Sequence, residues 1–312
     1  MNLRVSSLTQ SNNAVANIRA RSSELAKFQE QISSGVRVAR ASDDPGSYPA
    51  LAQARAAADR LTSYSQTVAD ATSVLNAGVN VLQDVNDVLV RARQIALEAG
   101  NATTEGEPTS REALATELDG MIGRALTAAN SRPDGKTLFA GTAFATPPFR
   151  VATTDASGRP ATIAYDGSTD RTRTITGRGT TVDTRYVGSE VFQQSGADVF
   201  ASLIALRDTL RGTLPVGTTY SQAITQQLTD VDAARTVVGE SVGEQASNLA
   251  TLEALQTLIG DAQLDTAARA NELEGTDFAE AIVKVREQET ALQAIYAVTA
   301  KLADPGLLAF IG

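Results

Sequence analysis

Apolar residues recur every seven positions along residues 47–99. The first row is Leu61, Val68, Leu75, Leu82 and Leu89, and the row beside it is Tyr64, Ala71, Gly78, Val85, Ala92 and Ala99. A seven-residue repeat places both rows on one face of a helix that packs against another helix. At ~1.5 Å per residue the segment predicts a helix ~80 Å long, which cannot be wrapped inside a compact globule.

Weaker repeats predict further helices on both sides of the chain. Gly35 is predicted to end the first of these helices, and Pro215 and Gly217 separate two later helices. The predicted helices cover residues 3–34, 110–130, 199–210, 221–266 and 277–302.

Two sets of apolar positions are predicted to carry the packing. Because the repeats at the N- and C-terminal ends must be covered, laying these helices side by side is the simplest arrangement. The predicted rod core is Leu61, Val68, Leu75, Leu82, Leu89, Val231, Val238, Leu252 and Ile259. The predicted assembly interface is Leu8, Val15, Ile18, Leu25 and Ile32 with Ile282, Val285, Leu292, Ile295 and Leu302.

The middle of the chain has a different composition. Residues 133–196 hold eight of the 23 glycines and four of the nine prolines, and residues 139–200 hold seven of the 14 aromatic residues. Alternation at Ile163 and Tyr165, and again at Val182, Thr184 and Tyr186, predicts short strands. The fold class is therefore mainly α with a β-rich insert: a long antiparallel, coiled-coil-like helical rod plus a small β-rich outer domain.

This pattern predicts three domains, two of them discontinuous in sequence. Residues 1–40 with 275–312 form a terminal assembly domain, residues 41–138 with 214–274 form the helical rod, and residues 139–213 form the outer domain. Many seam positions near the ends hold Ala, Ser, Gln or Gly, which bury little apolar area against the entropy of ordering the backbone. We therefore expect the terminal domain to be disordered in the free monomer and to fold when neighbouring copies cover it.

The composition argues against catalysis. With no His, Cys or Trp among 312 residues, the commonest general base, the thiol nucleophile and the usual zinc ligands are missing together. No constellation of base and nucleophile can be named, so we expect no enzyme activity, no cofactor and no metal.

Charge and hydropathy limit the possible partners. The net charge of −9 disfavours nucleic-acid binding, although residues 1–40 carry +4. No run approaches ~18 apolar residues, so no membrane span is expected. The N-terminus also lacks the pattern of a cleaved signal peptide. Export by another route and residence in the cytoplasm both remain open at this point.

Two short motifs have a chemical and a structural interpretation. Gly135-Lys136-Thr137 imitates the end of a phosphate-binding loop, but Asn130 stands where that loop needs glycine. Asp43 and Asp44 could be a carboxylate pair, yet in Ser42-Asp43-Asp44-Pro45 they are far more typical of the start of a helix, with short acceptors near free N–H groups.

Several segments resemble the flagellin family. Gln31–Val38, with its Ser-Ser-Gly-Val-Arg core, and Ala41–Pro45 are similar to the family's N-terminal signature. Asp134–Thr142, running into Thr146–Phe149, resembles the family's connection from rod to outer domain, and Glu289–Thr299 resembles its C-terminal helix. The similarity covers both ends and their junctions, and Ser-Asp-Asp-Pro is closest to the family's hook–filament junction members.

The resemblance implies an extracellular structural adaptor of the bacterial flagellum, exported unfolded by the flagellar type III apparatus. Its implied partners are further copies in a ring, hook-associated protein 1, flagellin and an export chaperone that holds the C-terminal helix. A short filament-forming flagellin is the alternative within the family. A cytoplasmic coiled-coil scaffold remains the alternative outside it, because seven-residue repeats alone would fit one.

Overall fold

A computed structural model of the chain describes residues 2–101, 107–177 and 181–303, and in the helices at the two ends the side chains of residues 2–8, 10, 11 and 301–303 are not described. The predicted fold class is confirmed: the chain is mainly helical with a small β-rich insert. The helices are α1 (Asn2–Ser34), α2 (Tyr48–Ala99), α3 (Pro108–Ala129), α4 (Gly188–Phe192), α5 (Val199–Leu210), α6 (Tyr220–Glu274) and α7 (Phe278–Ala303).

The β-rich insert consists of three antiparallel strand pairs in the described part of the chain. Pair β1–β2 contains two shifts of register and pair β3–β4 contains one, and β5–β6 is a two-residue pair. The strands are β1 (Phe149–Thr154), β2 (Pro160–Tyr165), β3 (Thr172–Ile175), β4 (Thr181–Arg185), β5 (Gln193–Gln194) and β6 (Ala197–Asp198).

The chain forms two compact units. The terminal unit contains Met1–Leu61 and Ala262–Gly312, and the central unit contains Thr62–Asp261, so α2 and α6 contribute residues to both. The three-domain division drawn from the sequence stays a prediction. The sequence also predicts that Asp304-Pro305-Gly306 breaks the last helix and leaves an apolar tail after it, and these residues lie outside the described ranges.

The central unit has a dense core. Within it α2 and α6 run antiparallel, because Arg93 bonds to Asp232 while Gln256 bonds to Ser65. Five aromatic rings join the β-rich insert to the helices, with neighbouring centroids 5.0–6.0 Å apart: Phe139, Phe149, Tyr165, Phe192 and Phe200. Such aromatic packing combines a large buried area with favourable ring geometry.

Two side chains fix the backbone around this aromatic cluster. Asn130, at the C-terminal end of α3, donates from Nδ2 to the Phe149 carbonyl at 2.9 Å and accepts from the Phe149 N–H at 3.0 Å. The fully buried Arg207 on α5 donates from Nη1 to the carbonyl of Pro160 at 2.8 Å and pairs with Asp119 of α3 at 3.3 Å. Strand β2 is thereby bonded to α5, and α5 to α3.

Candidate assembly site

The residues with the family-like motif lie where α1 ends in the terminal unit. Gly35 adopts φ +71°, and its N–H donates to the Gln31 carbonyl at 2.9 Å. This left-handed conformation closes the last turn of the helix and is one that residues with a Cβ rarely adopt. The glycine therefore ends α1 at the predicted place and turns the chain sharply.

The turn that follows Gly35 is bonded to the turn between α6 and α7. Val36 forms an antiparallel bridge with Gly275, and the Arg37 N–H donates to the Glu274 carbonyl at 2.6 Å. The Thr276 N–H returns a bond to the Gly35 carbonyl at 3.0 Å. These backbone bonds bring the N-terminal end of α7 to the C-terminal end of α1.

The Arg37 guanidinium connects three parts of the terminal unit. Its Nη2 donates to the Leu273 carbonyl of α6 at 2.9 Å, and its Nη1 pairs with Asp44 Oδ2 at 3.0 Å. The other Asp44 oxygen accepts from the N–H groups of Gly46 and Ser47 at 3.2 and 3.1 Å. The bond to Arg37, followed by the bonds to Ser47, lowers the pKa of Asp44 to about 2.

Asp43 closes the turn in front of Asp44. It accepts from the Arg40 N–H at 2.9 Å and pairs with Lys27 of α1 at 3.2 Å, and these bonds lower its pKa. Helix α2 begins at Tyr48, so Ser42–Pro45 form the turn before the helix and not its first turn. The two carboxylates bond to backbone N–H groups and basic side chains, as capping groups do.

Helices α1 and α7 pair antiparallel, since Arg21 Nη1 donates to Gln288 Oε1 at 3.2 Å while Val36 meets Gly275. The predicted interface residues lie on this pair with mixed exposure. Leu292 is 8% exposed, Ile282 is 45% and Val15 is 42% exposed. Ile18, Leu25, Ile32, Val285 and Ile295 are half-buried, and the side chains of Leu8 and Leu302 lie outside the described set.

Helix α7 also exposes large apolar side chains that the predicted set omitted: Phe278 (53%), Val283 (53%), Tyr296 (53%) and Val298 (57%). Val283 follows Ile282 directly, so it points to a different face of the helix from the seam that the seven-residue repeat selected. An apolar residue outside the repeat was the available signal, but single exposed apolar residues are common on protein surfaces. Helix α7 therefore keeps apolar surface that α1 does not cover.

The predicted rod-core residues are buried along α2 and α6. Leu82, Leu89, Val231, Val238 and Leu252 are 0% exposed. Val68 and Leu75 are 1% and Ile259 is 7% exposed, while Leu61 is half-buried. Which of these residues carry assembly or rod function stays a prediction, since burial alone reports packing.

The described side chains offer packing surfaces and no metal centre. Among them no group of three or more His, Cys, Asp or Glu residues could hold a metal ion. No helix in the described ranges is long and apolar enough to cross a membrane. A 950 Å³ cleft between α2 and α3 in the central unit is lined by apolar Val85 and Val88 and by the Arg91–Glu117 ion pair.

Known proteins share this fold over most of its length. The N-terminal helical region of bacterial flagellins matches residues 5–143. Flagellar hook-associated protein 3 of Salmonella typhimurium is 27% identical over 310 residues, which cover 94% of this chain and 95% of that protein. The solved structure of a flagellar hook-associated protein from Vibrio parahaemolyticus superposes with a TM-score of 0.66 at 19% identity, over 75% of this chain and 100% of that one.

A flagellin from Clostridium tyrobutyricum is 29% identical over 108 residues, but these cover only 35% of this chain and 28% of that protein. Paired terminal helices, the long α2 and α6 and a β-rich insert are the features of a structural subunit, and residues 5–143 are similar to the N-terminal helical region of the flagellin family. Within that family, its similarity over nearly the full length is to hook-associated protein 3 and not to filament flagellin.

Proposed function

We propose that the chain is a structural adaptor of the bacterial flagellum that joins hook-associated protein 1 to the flagellin filament. The observation that carries the proposal is the apolar surface of α7: Phe278 and Ile282 stay 53% and 45% exposed although α1 packs beside them. Exposed apolar surface of this kind is typical of a contact with another protein. Similarity to hook-associated protein 3 over 95% of its length supports the junction over the filament.

The proposed neighbours are other copies in a ring, hook-associated protein 1 below and flagellin above, with the chain outside the cell on the flagellum. An export chaperone would cover the apolar face of α7 before secretion. We further propose that residues 1–40 and 275–312 become fully ordered only in the assembled ring. Hydrogen exchange in α1 and α7 of a dilute monomer that is faster than in the central unit, and that slows after assembly, would support this.

Deletion of the gene tests the adaptor role. We expect motility to fail and unpolymerised flagellin to appear in the medium, because the filament would have no base on which to grow. Immunogold labelling of the restored protein should mark the hook–filament boundary. Label along the whole filament would favour the filament flagellin instead, and intact filaments in the deletion strain would refute both.

Complementation then tests the surface itself. A variant with Phe278→Ser and Ile282→Ser should not restore motility, and its amount in the medium distinguishes a loss of assembly from a loss of chaperone-dependent secretion. Ile175→Ser is the matched control, because Ile175 is also exposed, at 65%, but lies on β3 in the central unit. Equal motility with both variants would show that the α7 surface is not the contact.

A further inference from the structure

A buried amide interrupts the apolar seam between α2 and α6 in the central unit. Gln245 stands in the seven-residue row of α6 whose other members are aliphatic, Val231, Val238, Leu252 and Ile259. It is 1% exposed, and neither Nε2 nor Oε1 has a hydrogen-bond partner. An unpaired buried amide destabilises a protein, so an aliphatic residue would be the stabilising choice here.

Gly78 of α2 lies directly opposite this amide. A Cβ added at Gly78 would lie 2.5 Å from Gln245 Oε1 and 3.4 Å from its Cδ. In its row of α2, which runs Tyr64, Ala71, Gly78, Val85, Ala92 and Ala99, Gly78 is the one residue without a side chain. The Gln245 amide therefore occupies the single gap in that row.

Seven-residue repeats leave the alignment of two helices ambiguous. A slip of one repeat moves α6 by ~10 Å along α2 and again pairs apolar rows. Two polar links join α2 and α6 at the surface of the central unit. Gln256 Nε2 donates to Ser65 Oγ at 3.0 Å, and Arg93 pairs with Asp232 at 2.8 Å; the Arg93 and Asp232 side chains are 39% and 41% exposed. Exposed links of this kind discriminate weakly.

We infer that Gly78 and Gln245 form a register lock, which selects one alignment of α2 against α6 as the central unit folds. After a slip of one repeat, Gln245 would face Ala71 or Val85, whose side chains occupy the space that its amide needs. A polar residue at one core position is known to fix helix register at a cost in stability. This role concerns the folding of the central unit and holds whatever the chain joins in the flagellum.

The absence of cysteine allows the register to be measured directly in the full chain. Ser65→Cys with Gln256→Cys reports the observed alignment, and Ser65→Cys with Leu249→Cys reports a slip of one repeat. Each pair is refolded from urea and trapped with a short bis-maleimide. Only the first pair should cross-link when Gln245 is present. With Gln245→Leu, the second pair should cross-link about threefold more or better during refolding, while the thermal midpoint rises.

Gln227→Leu is the matched control, because Gln227 is also buried on α6, at 6% exposure, but does not face Gly78. It should leave the slipped cross-link unchanged. Gln245→Met, with a flexible side chain of similar length, serves as a second variant if Gln245→Leu does not fold. The lock is refuted if the slipped pair cross-links no more with either Gln245 variant, or if it increases equally with Gln227→Leu.

Discussion

The two units of the chain bury their apolar residues to different degrees. Along the central parts of α2 and α6, Leu82, Leu89 and Val238 are fully buried. On the α1–α7 pair of the terminal unit, Leu292 is 8% exposed but Ile282 is 45% exposed. Hydrophobic stabilisation grows with the apolar area removed from water. The core of the central unit is therefore stabilised by burial within the chain, whereas the terminal unit leaves apolar side chains exposed to solvent.

The polar side chains are also more deeply buried in the central unit than in the terminal unit. In the central unit the guanidinium of Arg207 is fully buried among backbone and carboxylate acceptors. In the terminal unit Arg37 and Asp44 form their pair with 42% and 27% of their side chains exposed. Exposed ion pairs contribute little, so the terminal unit relies more on the backbone bonds between its two turns.

The largest expected effect is in the central core. Leu82→Ala should lower the free energy of unfolding of the central unit by about 3 kcal/mol, because it leaves a cavity at a fully buried position. Val15 on α1 is 42% exposed, so Val15→Ala should change the free energy of unfolding of the terminal unit by less than about 0.5 kcal/mol. Hydrogen exchange resolved by segment measures both, and similar losses at the two sites would contradict the contrast.

A smaller effect is expected at Arg37 in the terminal unit. Arg37→Ala removes the bonds to the Leu273 carbonyl and to Asp44, and should destabilise this unit by about 1 kcal/mol. Arg40→Ala is the control, because Arg40 is exposed and its bond to Asp43 comes from the backbone. Hydrogen exchange of amides at the start of α7 should accelerate for the Arg37 variant alone.

The helices were the part of this fold that the sequence could predict. Repeats of seven residues determine which face of α2 is buried, and Gly35 marks the end of α1 because its left-handed turn suits glycine. The exposure of Val283 was not predictable, since a repeat identifies the best-covered face and not how far its partner covers the others.

Hydrogen bonds between polar side chains and distant parts of the chain could not be predicted from the sequence either. Asn130 bonds to the backbone of Phe149, and Arg207 bonds to the carbonyl of Pro160, 47 residues away. No local pattern encodes such pairs, because each depends on how the helices and strands pack. The same limit applies to Ser42–Pro45: their residue types indicate capping, but the turn that Asp44 stabilises ends before α2 begins.

At low pH, the stability of each unit should fall as one carboxylate in that unit becomes protonated. The pKa of Asp44 is about 2 in the folded chain against an ordinary 3.8, so its contribution is complete above about pH 4 and is lost as the pH falls through about 2. Asp44→Asn should therefore flatten the acid dependence of hydrogen exchange in α1 and α7.

Asp155 of the central unit provides the control for this titration. Bonds from the Arg159 N–H, despite partial burial, lower its pKa to about 2 as well. Asp155→Asn should flatten the acid response of β1 and β2 and leave that of α1 and α7 unchanged. An acid response of the terminal unit that persists in the Asp44 variant would assign it to other carboxylates.

The smallest effect on the isolated chain should come from the residue proposed to matter most in assembly. Ile282→Ser exchanges a side chain that is already 45% exposed, so the free energy of unfolding of the monomer should change by less than about 0.5 kcal/mol. Self-association at high concentration, measured by sedimentation, should nevertheless fall, because less apolar area of α7 would be buried when two copies associate. If the monomer is destabilised instead, Ile282 belongs to the core of the terminal unit, and the apolar residues that contact another copy must lie elsewhere on α7.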